Sequence, residues 1–158
     1  MTLQPRDPSF ESRVRSSFSR QTVMATFGAT LVRIDPGEVE IELPFRADLT
    51  QQHGFLHAGV ITTVVDSACG YAALSLMDPG AAVLSIEFKV NLLAPARGER
   101  FRAIGQVVRA GRNVTVVTGE LRAFEAGGAA SDGSREGAVV AIMTGTMMSV
   151  RDRPGLVD

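Results

Sequence analysis

The sequence predicts an α+β fold in which one long, largely apolar helix packs against one large, curved antiparallel sheet. Apolar residues recur at helical spacing over residues 57–77, and most other segments alternate between apolar and polar residues. Short turns join the later segments, which is typical of an antiparallel meander. With 158 residues, 45% of them hydrophobic, we expect a single domain over residues 1–158.

The first elements precede the long helix. Apolar residues at helical spacing after Pro8 predict one amphipathic helix over residues 9–27. The alternating segments ATLVRID and EVEIELPF flank the turn DPGE, and this arrangement predicts a β-hairpin. We expect residues 1–8 and 151–158 to be frayed ends.

The long helix and four strand segments complete the fold. The sequence DPG, which follows Met77, ends the helix. Residues 84–92 alternate strictly, which predicts a half-buried strand with Phe88 on its apolar face and Ser85 on the opposite face. ERFRAIGQVVRA and NVTVVTGELRAF predict two long strands joined by a tight turn, and AVVAIMTGTMMSV predicts the last strand.

The composition argues against several classes of function. The formal net charge is −1 with both signs interspersed, so nothing indicates a nucleic-acid or membrane partner. The single cysteine, Cys69, excludes an internal disulfide, and the two histidines, His53 and His57, bracket a loop-to-helix junction that does not suit a metal site. The N-terminus lacks the apolar core of a secretory signal. We expect a cytoplasmic protein without a metal or other cofactor.

One face of the long helix combines small residues with a carboxylate. Gly59, Thr62, Thr63, Asp66 and Gly70 share a stripe of this helix. Small residues let a ligand or a second backbone approach, whereas a carboxylate on an apolar helix is costly unless it is paired or used. Asp66 is therefore a candidate general base or nucleophile, with Thr62 and Thr63 beside the substrate. The alternative is a structural carboxylate bonded to Thr62 or to a backbone amide.

The start of the same helix offers a complementary group. Its first N–H groups lie at the positive end of the helix dipole, so the amides of Ala58 and Gly59 can polarise a carbonyl and stabilise an oxyanion. Ala58 and Asp66 are eight residues apart, about 12 Å along a helix, which an aspartate side chain cannot span. The two groups meet only if a second copy lies antiparallel, so such catalysis requires a homodimer with two sites.

The helix start resembles that of a known family. Residues 51–59, QQHGFLHAG, followed by Asp66, are similar to the Asn-x-x-Gly-x-x-His-Gly-Gly stretch and the later acid of the hotdog-fold acyl-CoA thioesterases, specifically the PaaI-like group of the phenylacetate pathway. The element order over residues 28–150 and the stretch LSIEFKVNLLAPARGE also resemble this family. The resemblance implies a hotdog fold, hydrolysis of an acyl-CoA ester without a cofactor, and a homodimer, which we expect to form a dimer of dimers.

Two positions depart from the family pattern. Gln51 stands where the family usually has Asn, and it keeps an amide with a longer reach. Ala58 stands where the family often has Gly, and it keeps the backbone N–H. The resemblance implies that Ser85 holds the attacking water, which requires either that the strand bulges or that its polar face lines the cleft. We expect His57 to orient the helix start rather than to transfer a proton, and Gln51 and Gly54 to shape the pocket floor.

Some assignments stay open. Arg109 and Arg112 flank a tight turn and are candidates for binding the phosphates of CoA, with solvated strand ends as the alternative. A thioester hydratase or dehydratase of the same fold would pair a catalytic histidine with an acid in another arrangement. A non-catalytic acyl-CoA-binding module is the third possibility. Aromatic, straight-chain and branched acyl groups all remain open.

Overall fold

The architecture is one sheet with a long helix on its inner face, in a computed structural model that describes residues 3–125, 137–156 and 158. The elements are α1 (Phe10–Arg20), α2 (Thr22–Phe27), β1 (Thr30–Asp35), β2 (Glu38–Pro44), a 3-10 turn (Ala47–Leu49), α3 (Ala58–Leu74), β3 (Ala82–Leu92), β4 (Arg100–Ala110), β5 (Val114–Phe124) and β6 (Ala138–Val150). The six strands form one antiparallel sheet in the order β1-β2-β4-β5-β6-β3. The predicted α+β architecture is confirmed.

The core lies between α3 and the inner face of the sheet. Alternate residues of the central strands point inward and are buried, as Ile41, Phe101 and Leu121 show. The helix lies close to the sheet because Gly105 and Gly119, which are paired across β4 and β5, have no side chains. A Cβ atom at Gly119 would come within 2.6 Å of Val65 Cγ1 and 2.7 Å of Cys69 Sγ, and one at Gly105 would collide with the backbone of α3.

The N-terminal helix is not continuous, contrary to the prediction over residues 9–27. Gln21 leaves the helical conformation, with φ −80° and ψ 90°, and separates α1 from α2. Its side-chain Nε2 donates to Ser67 Oγ on α3, at 3.2 Å. The break lets both short helices bury an apolar residue against the core, Val14 from α1 and Met24 from α2.

The long helix starts at Ala58 and ends at Leu74, three residues before the predicted end. The Arg13 guanidinium of α1 donates to the carbonyl oxygens of Leu74, Met77 and Asp78, at 2.9, 2.9 and 2.7 Å. These bonds join α1 to the last residue of α3 and to the turn that follows it. Arg13 also pairs with the buried Asp7 at 3.1 Å, so α1 is fixed across the end of α3.

The edge strand β3 differs from the predicted half-buried strand, because both of its faces are largely exposed. Ile86 is 53% exposed, Phe88 44% and Leu84 39%. Only β6 pairs with β3, so its other edge has no partner in the described part of the protomer. A long, apolar, unpaired edge of this kind is the feature through which sheets pair with another chain.

A β-bulge in β3 places Ser85 on the face of the sheet opposite to the one that the alternation predicts. The register with β6 shifts between Ser85 and Glu87, so the strand gains one residue there. Ser85 pairs with the buried Met147, and Phe88 pairs with Gly145. The alternation predicted Ser85 and Phe88 on opposite faces, but the bulge brings both to the inner face, towards α3.

The last residue of the sequence, Asp158, contacts α1 and the start of β3. The Asp158 carboxylate accepts hydrogen bonds from Ser17 Oγ, at 2.7 Å, and from the Val83 N–H, at 2.8 Å.

Across residues 3–125, 137–156 and 158, no helix is long and apolar enough to span a membrane.

Candidate active site

The start of α3 is held by His57, which occupies the N-cap position. His57 Nδ1 accepts a hydrogen bond from the Gly59 N–H, at 2.9 Å, and the His57 N–H donates to the Leu49 carbonyl, also at 2.9 Å. The Gly59 amide is therefore already bonded. No acceptor among the described residues bonds the Ala58 N–H, which leaves it as the donor able to meet an incoming oxygen.

A cavity of about 460 Å³ opens at this helix start, and we call it the helix-start cavity. Its lining is mainly apolar: Phe55, Leu56, Ile61, Leu92, Leu93, Ala94, Pro95 and Ala96, together with Gln51 and Ala58. The Gln51 side-chain oxygen accepts from the His53 N–H, and the Gly54 N–H donates to the Gln51 carbonyl at 2.9 Å. Gly54 has a φ of +80°, which favours glycine, but it does not line the cavity.

The stripe of small residues predicted on α3 is the side of this helix that remains accessible. All the other residues of α3 are buried, and the accessible ones are Ala58, Gly59, Thr62, Thr63, Asp66 and Gly70. The hydroxyls of Thr62 and Thr63 donate back to the carbonyl oxygens of Ala58 and Gly59, at 2.9 and 2.7 Å. Neither hydroxyl donates to Asp66, so the structural alternative in which Thr62 satisfies Asp66 does not describe this site.

Asp66 is instead paired with the edge strand. Ser85 Oγ donates to Asp66 Oδ1 at 2.7 Å and also lies 3.3 Å from Met147 Sδ. Burial raises the pKa of the Asp66 carboxyl above its ordinary value, while the Ser85 hydrogen bond opposes that rise. A half-buried carboxylate of raised pKa with one bonded oxygen can accept a proton through the other oxygen.

A second cavity, of about 410 Å³, adjoins Asp66, and we call it the Asp66 cavity. It lies between the end of α1, the middle of α3 and the start of β3. Polar side chains dominate its wall: Ser17, Arg20, Gln21, Asp66, Ser67, Tyr71, Ser85 and Asp158, with Gly70, Val83 and Leu84. The sequence did not single out Gln21, Tyr71 or Asp158, since contacts between distant elements bring them together.

The two cavities share no residue, so one protomer does not bring Ala58 and Asp66 to a common site. The predicted site residues therefore fall into two groups. Gln51, His57, Ala58 and Gly59 cluster at the helix start, whereas Asp66 and Ser85 cluster at the middle of α3. Thr62 and Thr63 lie on the stripe between them.

The two arginines predicted as candidates for binding CoA phosphates lie away from both cavities. Arg109 and Arg112 are exposed and line neither one. Their turn lies at the Ser85 end of the sheet, because Val114, next to this turn, and Leu84 both pair with Met148. Arg97, which sequence analysis did not assign, stacks over the Phe55 ring at 4.6 Å from its centroid, beside the helix-start cavity.

Other reactive groups do not form a site. Burial raises the pKa of the Cys69 thiol to about 12, with the nearby Asp66 charge adding to the rise, so the thiol stays protonated. Among the described residues, no three His, Cys, Asp or Glu side chains come together as metal ligands. The hydrogen-bonded pair of Asp66 and Ser85 is therefore the candidate site that remains.

Comparisons with known proteins identify the family. Residues 53–130 match the Thioesterase superfamily. The crystal structure of a thioesterase family protein from Silicibacter pomeroyi is 51% identical, with a TM-score of 0.83, and the match covers 90% of this chain and 98% of that one. The chain belongs to the thioesterase superfamily. The predicted resemblance and the hotdog fold are confirmed, and the family places the chain among thioester hydrolases.

Two more distant matches are a relative with a thioesterase name and a structure with the same fold. Human acyl-coenzyme A thioesterase 13 is 29% identical over 93 residues, which are 58% of this chain and 66% of the relative. The Escherichia coli PaaI protein, from the phenylacetic acid degradation operon, is 17% identical with a TM-score of 0.77, covering 94% of this chain and 96% of that one. At that identity the likeness shows the fold alone. Matches to curated relatives span 65% to 71% of the relatives' lengths.

Proposed function

We propose that the protein is an acyl-CoA thioesterase that hydrolyses an acyl-CoA or aryl-acyl-CoA ester to the free acid and CoA. The hydrogen bond between Ser85 and the half-buried Asp66, at the wall of a cavity, is the observation that carries this proposal. It supplies a carboxylate with a raised pKa beside a hydroxyl that can position water.

Asp66 acts as the general base in the proposed reaction. Ser85 orients a water molecule, and Asp66 takes one of its protons as the oxygen bonds to the thioester carbon. The carbonyl oxygen becomes an oxyanion, which the Ala58 N–H of the partner subunit stabilises. When the oxyanion collapses, the C–S bond breaks and the proton held by Asp66 passes to the CoA thiolate, giving the acid and the thiol.

A second subunit is required because the donor and the base lie far apart in one protomer. Ala58 and Asp66 are about 12 Å apart along α3, and they face separate cavities. The exposed edge of β3, with Phe88 and Ile86, supports an antiparallel pairing of two copies. Such a homodimer would place Asp66 of each protomer opposite the helix start of the other.

The remaining predicted residues have supporting roles in this proposal. His57 fixes the helix start by bonding Gly59, and Gln51 shapes the wall of the helix-start cavity. Thr62 and Thr63 have small side chains, so the accessible side of α3 between the two cavities leaves room for the substrate. Arg109 and Arg112, at the Ser85 end of the sheet, are available for CoA phosphates. Val114 and Met148 are exposed apolar residues. We infer that they form a contact between two dimers, which would give a dimer of dimers.

The first test is thiol release from a panel of acyl-CoA esters by the wild type and Asp66→Asn. We expect release by the wild type and a loss of about 10²–10⁴-fold in the variant, the usual size of a general-base contribution. Asp152→Asn is the matched control, since Asp152 is exposed, lies outside the cavities and has a φ of 53° that asparagine tolerates.

Other outcomes would contradict the proposal in different ways. Equal release by the wild type and Asp66→Asn would remove Asp66 from the chemistry. Hydration of an enoyl-CoA without thiol release would indicate the hydratase, and acyl-CoA binding without turnover by either protein would indicate the binding module. Gel filtration of each variant checks that its assembly is unchanged.

A further inference from the structure

The Asp66 cavity contains a polar cluster that the proposed hydrolysis does not use. Gln21 Nε2 donates to Ser67 Oγ at 3.2 Å, and the Tyr71 hydroxyl donates to Gln21 Oε1 at 3.4 Å. All three residues line the cavity. Gln21 is also the residue at which the N-terminal helical segment breaks, so the turn of the chain places its amide against α3.

The cluster lies where the far end of an acyl group would reach. Tyr71 follows Asp66 by five residues, about 7.5 Å along α3. An extended chain advances about 1.2 Å per bond, so six bonds, from the carbonyl carbon of a six-carbon acyl group to a terminal hydroxyl oxygen, span about 7 Å. An acyl group that starts at Asp66 and follows α3 therefore ends beside Gln21.

The cluster retains hydrogen-bonding capacity. A primary amide offers two N–H donors and an oxygen with two lone pairs, and the contacts to Ser67 and Tyr71 use one donor and one lone pair. An apolar acyl end would cover these groups without satisfying them, which weakens binding. A hydroxyl at the same place can both donate and accept.

The charges around the cavity disfavour a negatively charged acyl end. Asp66 and Asp158 both line it, and Asp158 is held at the wall by Ser17 Oγ and the Val83 N–H. Among the described residues that line the cavity, Arg20 is the one cation, and its guanidinium bonds Ser16 Oγ at 3.1 Å. Two carboxylates and one guanidinium give no excess of positive charge for an anion.

We propose that Gln21 is a specificity-determining residue, and that the preferred acyl group carries an uncharged hydrogen-bonding group, such as a hydroxyl, at its far end. This inference rests on the proposed thioesterase function and adds the substrate class. Ser67 and Tyr71 hold the Gln21 amide in place, and the amide contacts the substrate.

The experiment compares kcat/KM for hexanoyl-CoA and 6-hydroxyhexanoyl-CoA, measured by thiol release. We expect the wild type to prefer the hydroxylated ester by about tenfold to a hundredfold, because an apolar acyl end leaves buried hydrogen-bonding groups unpaired. Gln21→Leu should remove or reverse this preference while still hydrolysing hexanoyl-CoA. Adipoyl-CoA, which has a carboxylate end, should be the poorest of the three esters.

Controls separate recognition from folding. Gln106→Leu makes the same change at an exposed residue of β4 outside the cavity and should keep the wild-type preference. Tyr71→Phe removes only the hydroxyl that contacts Gln21, and it should lower the preference even if Gln21→Leu does not fold. A purely structural role of Gln21 would change both rates equally.

The outcomes also distinguish this inference from the proposed function. Equal rates with both esters, or a preference unchanged in both Gln21→Leu and Tyr71→Phe, would overturn the specificity role and leave the thioesterase proposal intact. Absence of thiol release from every ester would overturn the thioesterase proposal itself, and the specificity role with it.

Discussion

The first and third turns of α3 lie on one stripe of the same helix, yet they face cavities of opposite character. The first turn presents the Ala58 amide to a cavity lined mainly by apolar residues such as Leu56 and Leu92. The third turn presents Asp66 to a cavity lined mainly by polar side chains. An electrostatic donor is strongest in an apolar, dry site, whereas a base needs access to water. The two requirements are met separately, which is why we infer that two protomers complete one site.

After the loss expected for Asp66→Asn, the largest expected effect is on the first turn of α3, which carries the proposed oxyanion donor. Ala58→Pro removes the N–H at the first position of α3, where helices tolerate proline well. The preceding residue, His57, already has the extended conformation that proline requires before it, with φ −65° and ψ 139°. We expect kcat to fall by about 10²–10³-fold, as for loss of an oxyanion donor. Ala58→Gly keeps the N–H and is the control. Full activity of Ala58→Pro in a thiol-release assay would exclude this amide as the donor.

Mixing the two inactive variants tests whether the turns act across subunits. After subunit exchange between Ala58→Pro and Asp66→Asn, half of the dimers are mixed, and each has one intact site of two, so about a quarter of wild-type activity should return. The same mixture without exchange is the control. Sites formed within one protomer would show no recovery, and that result would contradict the composite site.

A smaller effect is expected at Ser85. Because its hydrogen bond opposes the rise in the Asp66 pKa that burial causes, Ser85→Ala should raise this pKa further. The base must be ionised, so the acid limb of the kcat/KM profile should move to higher pH, with a rate loss of about tenfold. Ser85→Thr, which keeps the hydroxyl, should restore the wild-type limb. A limb that stays in place would show that Ser85 does not influence the base.

The smallest effect concerns stability. The folded-state pKa of Asp66 lies above the unfolded value, so stability is lost as the pH rises from the unfolded pKa through the folded-state pKa. Asp66→Asn should therefore raise Tm near neutral pH, by about 2–4 °C per kcal/mol for a domain of this size. The gain should disappear as the pH falls below the unfolded pKa. Thermal melts at several pH values measure it, and a gain that persists in acid would have another cause.

Much of the fold follows from local patterns. The helical spacing in residues 57–77 and the alternation in β4, β5 and β6 predict the helix and strands that the structure contains. The stripe with Asp66 is also visible in the sequence, because helical geometry alone puts its residues on one side. These features depend on neighbours within a few residues.

The features that sequence analysis missed depend on distant contacts. The bulge after Ser85 arises from pairing with β6, so alternation within β3 gives the wrong face for that serine. The break at Gln21 coincides with its bond to Ser67, which is 46 residues away in sequence. The wall of the Asp66 cavity likewise joins α1, α3, β3 and Asp158, elements that no local pattern connects.

The glycine pair beneath α3, Gly105 and Gly119, sets how closely the helix packs against the sheet. Gly105 and Gly119 touch no substrate, yet the space they leave sets the height of the helix above the sheet. An alanine at either position would lift α3 and carry Asp66 away from Ser85, which β6 holds in place. The distance between Asp66 and Ser85 therefore depends on two residues beneath the helix as well as on the pair itself. Residues that contribute only an absence of atoms can thus set the geometry of a reaction that they never touch.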